Sequence, residues 1–370
     1  MAILAFLLLP GTLLLCVLTL ANFLPLSRRV KRERTCSLVV VIPAHNEEKT
    51  LPKTLQSLGG SCDVVVIADN CSDRTEDVAH FFGARVLSRS DANHIGKGFA
   101  LQFAVDTLLK EGYDAFFFLD ADGVLEMGAL DKVREAFECG FDAVQVRYEM
   151  CGRGASFRSR LLPLAFRAMC FLRARGRERL HLSCGILGNG FGLHRSLLEK
   201  VPFVASSLVE DMAYHIELVA AGFYVHFLED VMLRSDVPCT KEGEKTQRLR
   251  WEVGRLQLLK HVAFRLCGQI MRGRVRLIDP LFDLLLPPLS LYALLMAMFT
   301  FFSPLFGYFG LSVLALHLSL ALFFGDKRLD EVRALACVPW YVFWKVCLLP
   351  YGCFLGFKRG MSWVRTERRR

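Results

Sequence analysis

The sequence predicts an α/β domain on a mostly parallel sheet, flanked by membrane helices toward both ends. Three observations carry this expectation. Between Cys36 and Val146, continuous β-branched and aromatic runs alternate with amphipathic stretches, the pattern of strands buried on both faces by crossover helices. Each run ends in polar or acidic residues, at the edge where open α/β sheets bind ligands. Residues 1–26 and 284–324 are apolar over lengths that satisfy the about 20 residues a bilayer-crossing helix needs.

Composition agrees. Of 370 residues, 53% are hydrophobic and 22% charged, too apolar for an ordinary soluble domain and too charged for an all-membrane protein. The net charge of +9 concentrates in residues 27–34, 153–179 and 358–370. Basic clusters beside apolar segments face anionic lipid on the cytoplasmic side. No nucleic-acid-binding motif accompanies the charge, so nucleic acid is not an expected partner. The 13 Cys show neither zinc-site nor CxxC spacing and read as buried reduced thiols.

Residues 1–26 differ from a secretory signal, whose basic residues precede the apolar core. Here they follow it, which suits an uncleaved anchor with its N-terminus outside and residue 27 onward in the cytoplasm. Strands are expected at residues 38–42, 64–67, 116–119 and 142–146. Residues 36–150 and 151–235 read as two halves of one domain. The second half holds the glycine-rich stretch 185–192 and the pair Glu210-Asp211. Residues 236–282 are basic and amphipathic, as interfacial helices are. Residues 284–303 and 304–324 read as a transmembrane hairpin that returns the loop 325–333 to the cytoplasm. A further full span over 335–357 would place the basic residues 358–370 outside. With Pro339, Lys345 and Pro350 inside it, that segment is expected to be interfacial or re-entrant rather than a third C-terminal span.

The chemistry lies at the strand ends. The first strand exits into Pro43-Ala44-His45-Asn46-Glu47-Glu48, with no GxGxxG and so no nicotinamide or flavin cofactor. The second exits into Asp69-Asn70-Cys71-Ser72-Asp73. Asp73 reads as a helix cap; Asp69, nearer the strand, is the better ligand candidate. Gly96-Lys97-Gly98 opens a helix, where a lysine meets a phosphate or simply solvent. Asp120-Ala121-Asp122 ends the very apolar run Phe116-Phe117-Phe118-Leu119. Two carboxylates there need a compensating cation or donors, and hard oxygen ligands suit Mg²⁺ or Mn²⁺ bridging to a diphosphate. Glu210-Asp211 offers a second carboxylate site, to take a proton from an acceptor hydroxyl or to favour a helix start. In Gln247-Arg248-Leu249-Arg250-Trp251, Arg250 can neutralise a departing diphosphate. Trp251 can stack on a sugar face or pack.

In this order PAHNEE, ADNCSD, GKG, LDAD, GNG, ED and QRLRW resemble the family 2 glycosyltransferases. The resemblance is to the membrane-bound branch with cellulose, hyaluronan and poly-N-acetylglucosamine synthases, and it covers residues 36 to about 260. It implies a GT-A fold, Rossmann-like, with a mostly parallel sheet, residues 36–150 being the nucleotide-sugar-binding half and 151–235 the acceptor-binding half. It also implies a hexosyltransferase that is metal-dependent and uses a nucleoside-diphosphate sugar, UDP-linked by resemblance. Ala44, His45, Asn46, Glu47 and Asp69 would contact the uridine, and Lys97 would lie near the diphosphate. Asp120 and Asp122 match the DxD that binds donor and metal, with Asp122 foremost as metal ligand. Asp211, after Glu210, matches the catalytic base; Gln247, Arg250 and Trp251 match the motif that closes over donor and acceptor.

Ala68-Asp69 stands where many members have paired aspartates, and Val209-Glu210-Asp211 where Thr-Glu-Asp is common. The chain offers fewer spans than synthases that push a polymer through their own pore. The expectation is therefore an inverting enzyme at the cytoplasmic face of the cell membrane, multi-pass, serving glycolipid or polysaccharide biosynthesis. It would transfer sugar to a lipid or lipid-linked glycan, with membrane lipid as a further partner. The alternative is a processive exopolysaccharide synthase, acting as a homo-oligomer or with an export partner. A transporter is disfavoured by the large soluble domain, and an inactive scaffold by the intact motifs.

Overall fold

The computed structural model describes residues 2–27, 35–151, 157–205, 209–236, 241–325 and 328–336, with Val338 and Trp340. The segment expected at 335–357 lies almost wholly outside these, as do the basic residues 28–34 and 358–370. The chain forms two compact units. One gathers residues 27–149 and 183–236, the other 1–26, 150–182 and 237–369.

The first unit is built on one sheet. Its strands are β1 (Leu38–Ala44), β2 (Asp63–Asp69), β3 (Arg85–Arg89), β4 (Ala115–Phe118), β5 (Val124–Leu125), β6 (Ala143–Cys151), β7 (Phe191–His194) and β8 (Val225–Asp236). They lie in the order β3-β2-β1-β4-β7-β6-β8-β5. The half β3-β2-β1-β4 is parallel, with Val40 opposite Val64 and Phe117, and Asp69 opposite Arg89. Beyond it, β7 runs antiparallel to both β4 and β6, and β5 antiparallel to β8. The sheet is therefore mixed, not mostly parallel. The cause is the glycine-rich stretch, which turns the chain so that Phe191 pairs back against Phe118.

Burial explains why the apolar runs became strands. Val39, Val40, Val41, Ile42 and Phe116–Phe118 are all within 1% of complete burial, and each such side chain contributes roughly 1.5–3 kcal/mol. The helix Ala129–Glu138 presses Phe137 onto the sheet at Gly192. A Cβ there would stand 2.8 Å from the Phe137 ring, so only glycine allows the approach.

The second unit is helical. Its main helices are Ala2–Ala21, Phe157–Phe166, Arg173–Arg179, Lys241–Met271, Ile278–Leu285, Leu289–Phe302, Pro304–Phe323 and Arg328–Leu335. A π-helical turn, Arg167–Leu172, joins the second to the third. Among the described residues, two helices are long and apolar enough to cross a membrane, Ile3–Ala21 and Pro304–Phe323. The span expected at 284–303 is broken: the segments Val275–Leu285 and Leu289–Phe302 meet at 81°. Pro287-Pro288 supplies no N–H at the break, and Leu286, preceding proline, turns extended at ψ 114.

The basic cluster expected to face lipid between 153 and 179 is largely buried. Arg167, Arg173, Arg177 and Arg179 lie inside. Arg167 makes a bidentate pair with Glu331 at 2.9 and 3.1 Å. Arg177 binds Asp279 at 2.9 Å and Asp283 at 2.7 Å, and Arg173 shares Asp283. Arg175 and Arg179 donate to the carbonyls of Asn22 and Leu24 at 2.8 and 3.0 Å. These arginines bind helices together instead of lipid, because their carboxylates come from segments about a hundred or more residues later. Removing one partner of such a buried pair costs about 3–5 kcal/mol. Arg177→Met is accordingly expected to lower the thermal unfolding midpoint of the detergent-solubilised chain sharply; an unchanged midpoint would refute the bracing role.

Candidate functional site

The site builds up at the carboxyl edge of the parallel half-sheet. The chain leaves β1 through residues 45–48 and β2 through 70–74, and the two turns are stitched together. Asn46, left-handed at φ 55, accepts from the Ser72 N–H at 2.7 Å. The Glu47 N–H donates to Thr75 Oγ1 at 2.8 Å, and the Glu48 N–H to Asp73 at 3.2 Å. Asp73 also caps its own helix through the Thr75 N–H at 3.0 Å. The His45 imidazole bonds the Asp69 carbonyl at 2.7 Å. Asn46 and the Glu47 carboxylate, which accepts from Thr50, thus hold the rim of the cleft. Burial pushes the Cys71 thiol upward, so it stays protonated at neutral pH and is no nucleophile.

Asp69 sits 4% exposed at the end of β2. Its charge is compensated by Arg89, directly opposite on β3, at 2.6 Å. Arg89 also pairs with Asp91 at 3.1 Å, and Asn70 donates to Asp69 at 3.0 Å. Both donors reach the same oxygen, Oδ1.

Four other motifs come together at the carboxyl end of β4. Lys97 begins the helix Lys97–Leu108 after Gly96. Its ammonium pairs with the Asp120 carboxylate and donates to the Gly188 carbonyl. The Asp120 N–H donates to Asn189 at 2.9 Å, so the end of β4 is tied to the glycine-rich loop twice. Gly188, at φ +78, presents its bare Cα to Asp211: a Cβ would lie 2.9 Å from Oδ2. Asp211 and Glu210 open the helix Glu210–Ala220, whose N-terminal dipole favours both charges. Asp211 Oδ1 accepts from the Met212 N–H at 2.8 Å. Glu210 packs beside Gly98, with Cγ 3.4 Å from where a Cβ would stand.

The loop is held from behind by Gln145, fully buried on β6. Its amide donates to the carbonyls of Val146, Asn189 and Gly190 at 2.8–3.0 Å and accepts from the Leu187 N–H at 2.9 Å. Sequence reading singled out neither Gln145 nor Arg89. The one available signal was a glutamine in an otherwise apolar run.

Asp120 and Asp122 are the two carboxylates at which a metal is expected. Among the described residues no group of three His, Cys, Asp or Glu side chains could hold an ion. Two carboxylates at a strand end suit Mg²⁺ or Mn²⁺, which keep water and take further ligands from substrate phosphates, and do not suit a closed zinc site.

Gln247, Arg250 and Trp251 belong to the helical unit. Their spacing places them on one face of the helix Lys241–Met271. Trp251 lies 6.5 Å from the Phe166 ring, centroid to centroid, and the Arg250 Nε is buried with no hydrogen-bond partner among the described residues.

Residues 39–202 match the model of glycosyl transferase family 2. That stretch resembles a family 2 glycosyltransferase domain, and the sheet it lies on is mixed and Rossmann-like, as in the GT-A fold. A probable glycosyltransferase of Bacillus subtilis, YdaM, is 24% identical over 265 residues, 66% of this chain and 60% of that protein. The 4,4'-diaponeurosporenoate glycosyltransferase of Staphylococcus haemolyticus is 35% identical over 106 residues, 27% of this chain and 28% of that protein. The chain therefore spans 60% or less of the length of these curated relatives. Among solved structures, the mannosyltransferase PcManGT from Pyrobaculum calidifontis, in complex with GDP-Man and Mn²⁺, superposes with a TM-score of 0.56 at 15% identity. That match covers 92% of this chain and 97% of the other, and it speaks for the fold.

Proposed function

We propose that this chain is a membrane-anchored, inverting glycosyltransferase. It moves a sugar from a nucleoside-diphosphate sugar to a lipid or lipid-linked glycan at the cytoplasmic membrane face. The observation that carries the reading is the convergence of Lys97, Asp120, the Gly188 loop and Asp211, the first three within the residues that match the family 2 model. A phosphate-seeking cation, a metal-binding carboxylate and a fixed base are the parts a sugar transfer requires. The apolar helices Ile3–Ala21 and Pro304–Phe323 support anchoring. The relative named for 4,4'-diaponeurosporenoate supports a small-molecule acceptor.

In this mechanism Asp69 and its Arg89 partner receive the nucleobase, with the rim residues Ala44 to Glu47 alongside. Asp211, oriented by the Met212 N–H, takes the proton from the acceptor hydroxyl. The freed oxygen attacks the anomeric carbon from the face opposite the diphosphate, and configuration inverts. Lys97 receives charge on the leaving group; for Gln247, Arg250 and Trp251 on the helix Lys241–Met271, the role at leaving group and acceptor is the one the family resemblance implies. Asp120 and Asp122 would hold Mg²⁺ or Mn²⁺, which supplies Lewis-acid stabilisation of the diphosphate when bound.

The test uses the purified chain in detergent with UDP- and GDP-sugars, with Mn²⁺, Mg²⁺ or EDTA, and with or without membrane lipid extract. Nucleoside diphosphate release from one donor is expected, raised by lipid and abolished by EDTA. Absence of release from every donor, with Asp122→Ala matching wild type in all assays, would overturn the reading.

A further inference from the structure

We propose that Lys97 is the exchangeable counter-ion of the metal carboxylate Asp120, so that a divalent ion enters tightly only together with a nucleotide diphosphate. The inference rests on the metal and donor reading given above and adds an order to it.

Among the described residues Lys97 makes two polar contacts, to the Asp120 carboxylate and the Gly188 carbonyl. Both side chains of the pair are 24% exposed, so the pair is partly desolvated yet open to exchange. An ammonium and a divalent cation cannot share one carboxylate oxygen without strong repulsion. Lys97, which holds Oδ1 of Asp120, must therefore leave that oxygen when an ion takes it. Its backbone is not free to follow, because Gly98 is pressed against Ala205 and Glu210, at 3.2 and 3.4 Å from the place of a Cβ. The movement falls to the flexible four-carbon stem, for which lysine is suited and arginine is not.

Charge decides where the ammonium goes. An ion bound at Asp120 takes away the charged partner of Lys97 and leaves it the Gly188 carbonyl. The phosphate charges of a sugar nucleotide give Lys97 a new anion within reach. Metal and nucleotide thus assist each other through one side chain, and by linkage the assistance is reciprocal.

The experiment titrates Mn²⁺ into the full-length, detergent-solubilised protein and follows free Mn²⁺ by electron paramagnetic resonance, with and without UDP or GDP. Wild type is expected to bind Mn²⁺ weakly alone and at least about tenfold more tightly with the cognate diphosphate. Lys97→Met is expected to bind Mn²⁺ alone about tenfold more tightly than wild type, with the nucleotide dependence correspondingly reduced. Lys97→Gln, which retains a donor for Gly188 without the charge, should behave as Lys97→Met does. A merely structural lysine would weaken metal binding in both. Unchanged or weaker Mn²⁺ binding in both variants, or wild-type Mn²⁺ binding indifferent to both nucleotides, overturns the exchange. Asp120→Asn separates the two levels. If it keeps full Mn²⁺ affinity, the metal site itself is wrong and the exchange with it. If it loses Mn²⁺ while the Lys97 variants match wild type, only the exchange is wrong.

Discussion

Asp211→Asn is expected to lower the rate of sugar transfer by roughly 10²–10⁴-fold, the contribution of a positioned general base, while nucleoside diphosphate binding is retained. The substitution is conservative in shape. Asparagine can still accept the Met212 N–H, which now reaches Asp211 Oδ1 at 2.8 Å. What it lacks is basicity. Loss of transfer with an unchanged unfolding midpoint and unchanged diphosphate affinity would identify the base. A variant as fast as wild type would remove Asp211 from that role.

Gly188→Ala should lower transfer by about a hundredfold, as expected when a reacting group is displaced by roughly 1 Å. Two effects combine at this position. The left-handed φ of +78 costs an L-residue about 1–2 kcal/mol. The new methyl group would also stand 2.9 Å from Asp211 Oδ2 and push the carboxylate aside. Gly185 provides the matched control: it has φ +98 and nothing within 4 Å of the place of its Cβ. Gly185→Ala should therefore show a comparable loss of stability with little loss of transfer. Equal losses of transfer in the two variants would mean that backbone strain, not displacement of Asp211, explains the effect.

Legibility in the sequence followed the continuity of the apolar runs. β1, β2, β4 and β6 stand where unbroken runs predict them, since a strand covered on both faces needs apolar residues throughout. The other four were not expected. β3 carries arginine at both ends and lies at the sheet edge. β5 has two residues. β7 has four residues and follows a glycine-rich turn, and β8 is interrupted by Glu229-Asp230. Missing β7 also meant missing the antiparallel half of the sheet. The acidic and lysine motifs were visible because they sit at strand ends and helix starts, where local chemistry marks them. Their supports were not, because they depend on register. Arg89 reaches Asp69 only because β3 lies beside β2, and Gln145 reaches the loop 187–190 only across the β6–β7 pairing. The same limit misplaced the arginines of 167–179, whose partners come from distant segments. It also hid the break at Pro287-Pro288, where hydropathy alone continues.

That arginine network has a consequence for how the chain is made. Arg167 leaves the ribosome 164 residues ahead of Glu331, and Arg177 more than a hundred ahead of Asp279 and Asp283. At about 5–20 residues per second, Arg167 waits roughly 10–30 s for its carboxylate. Throughout that interval the segment 167–179 cannot settle among the helices without burying unpaired charge. The N-terminal helix, which Arg175 and Arg179 grip by its terminal carbonyls, must likewise wait for its final packing. Nascent chains stopped before Glu331 are therefore natural prey for quality-control proteases, while the sheet unit, whose strands all lie before residue 237, has its full complement of pairing partners long before synthesis ends.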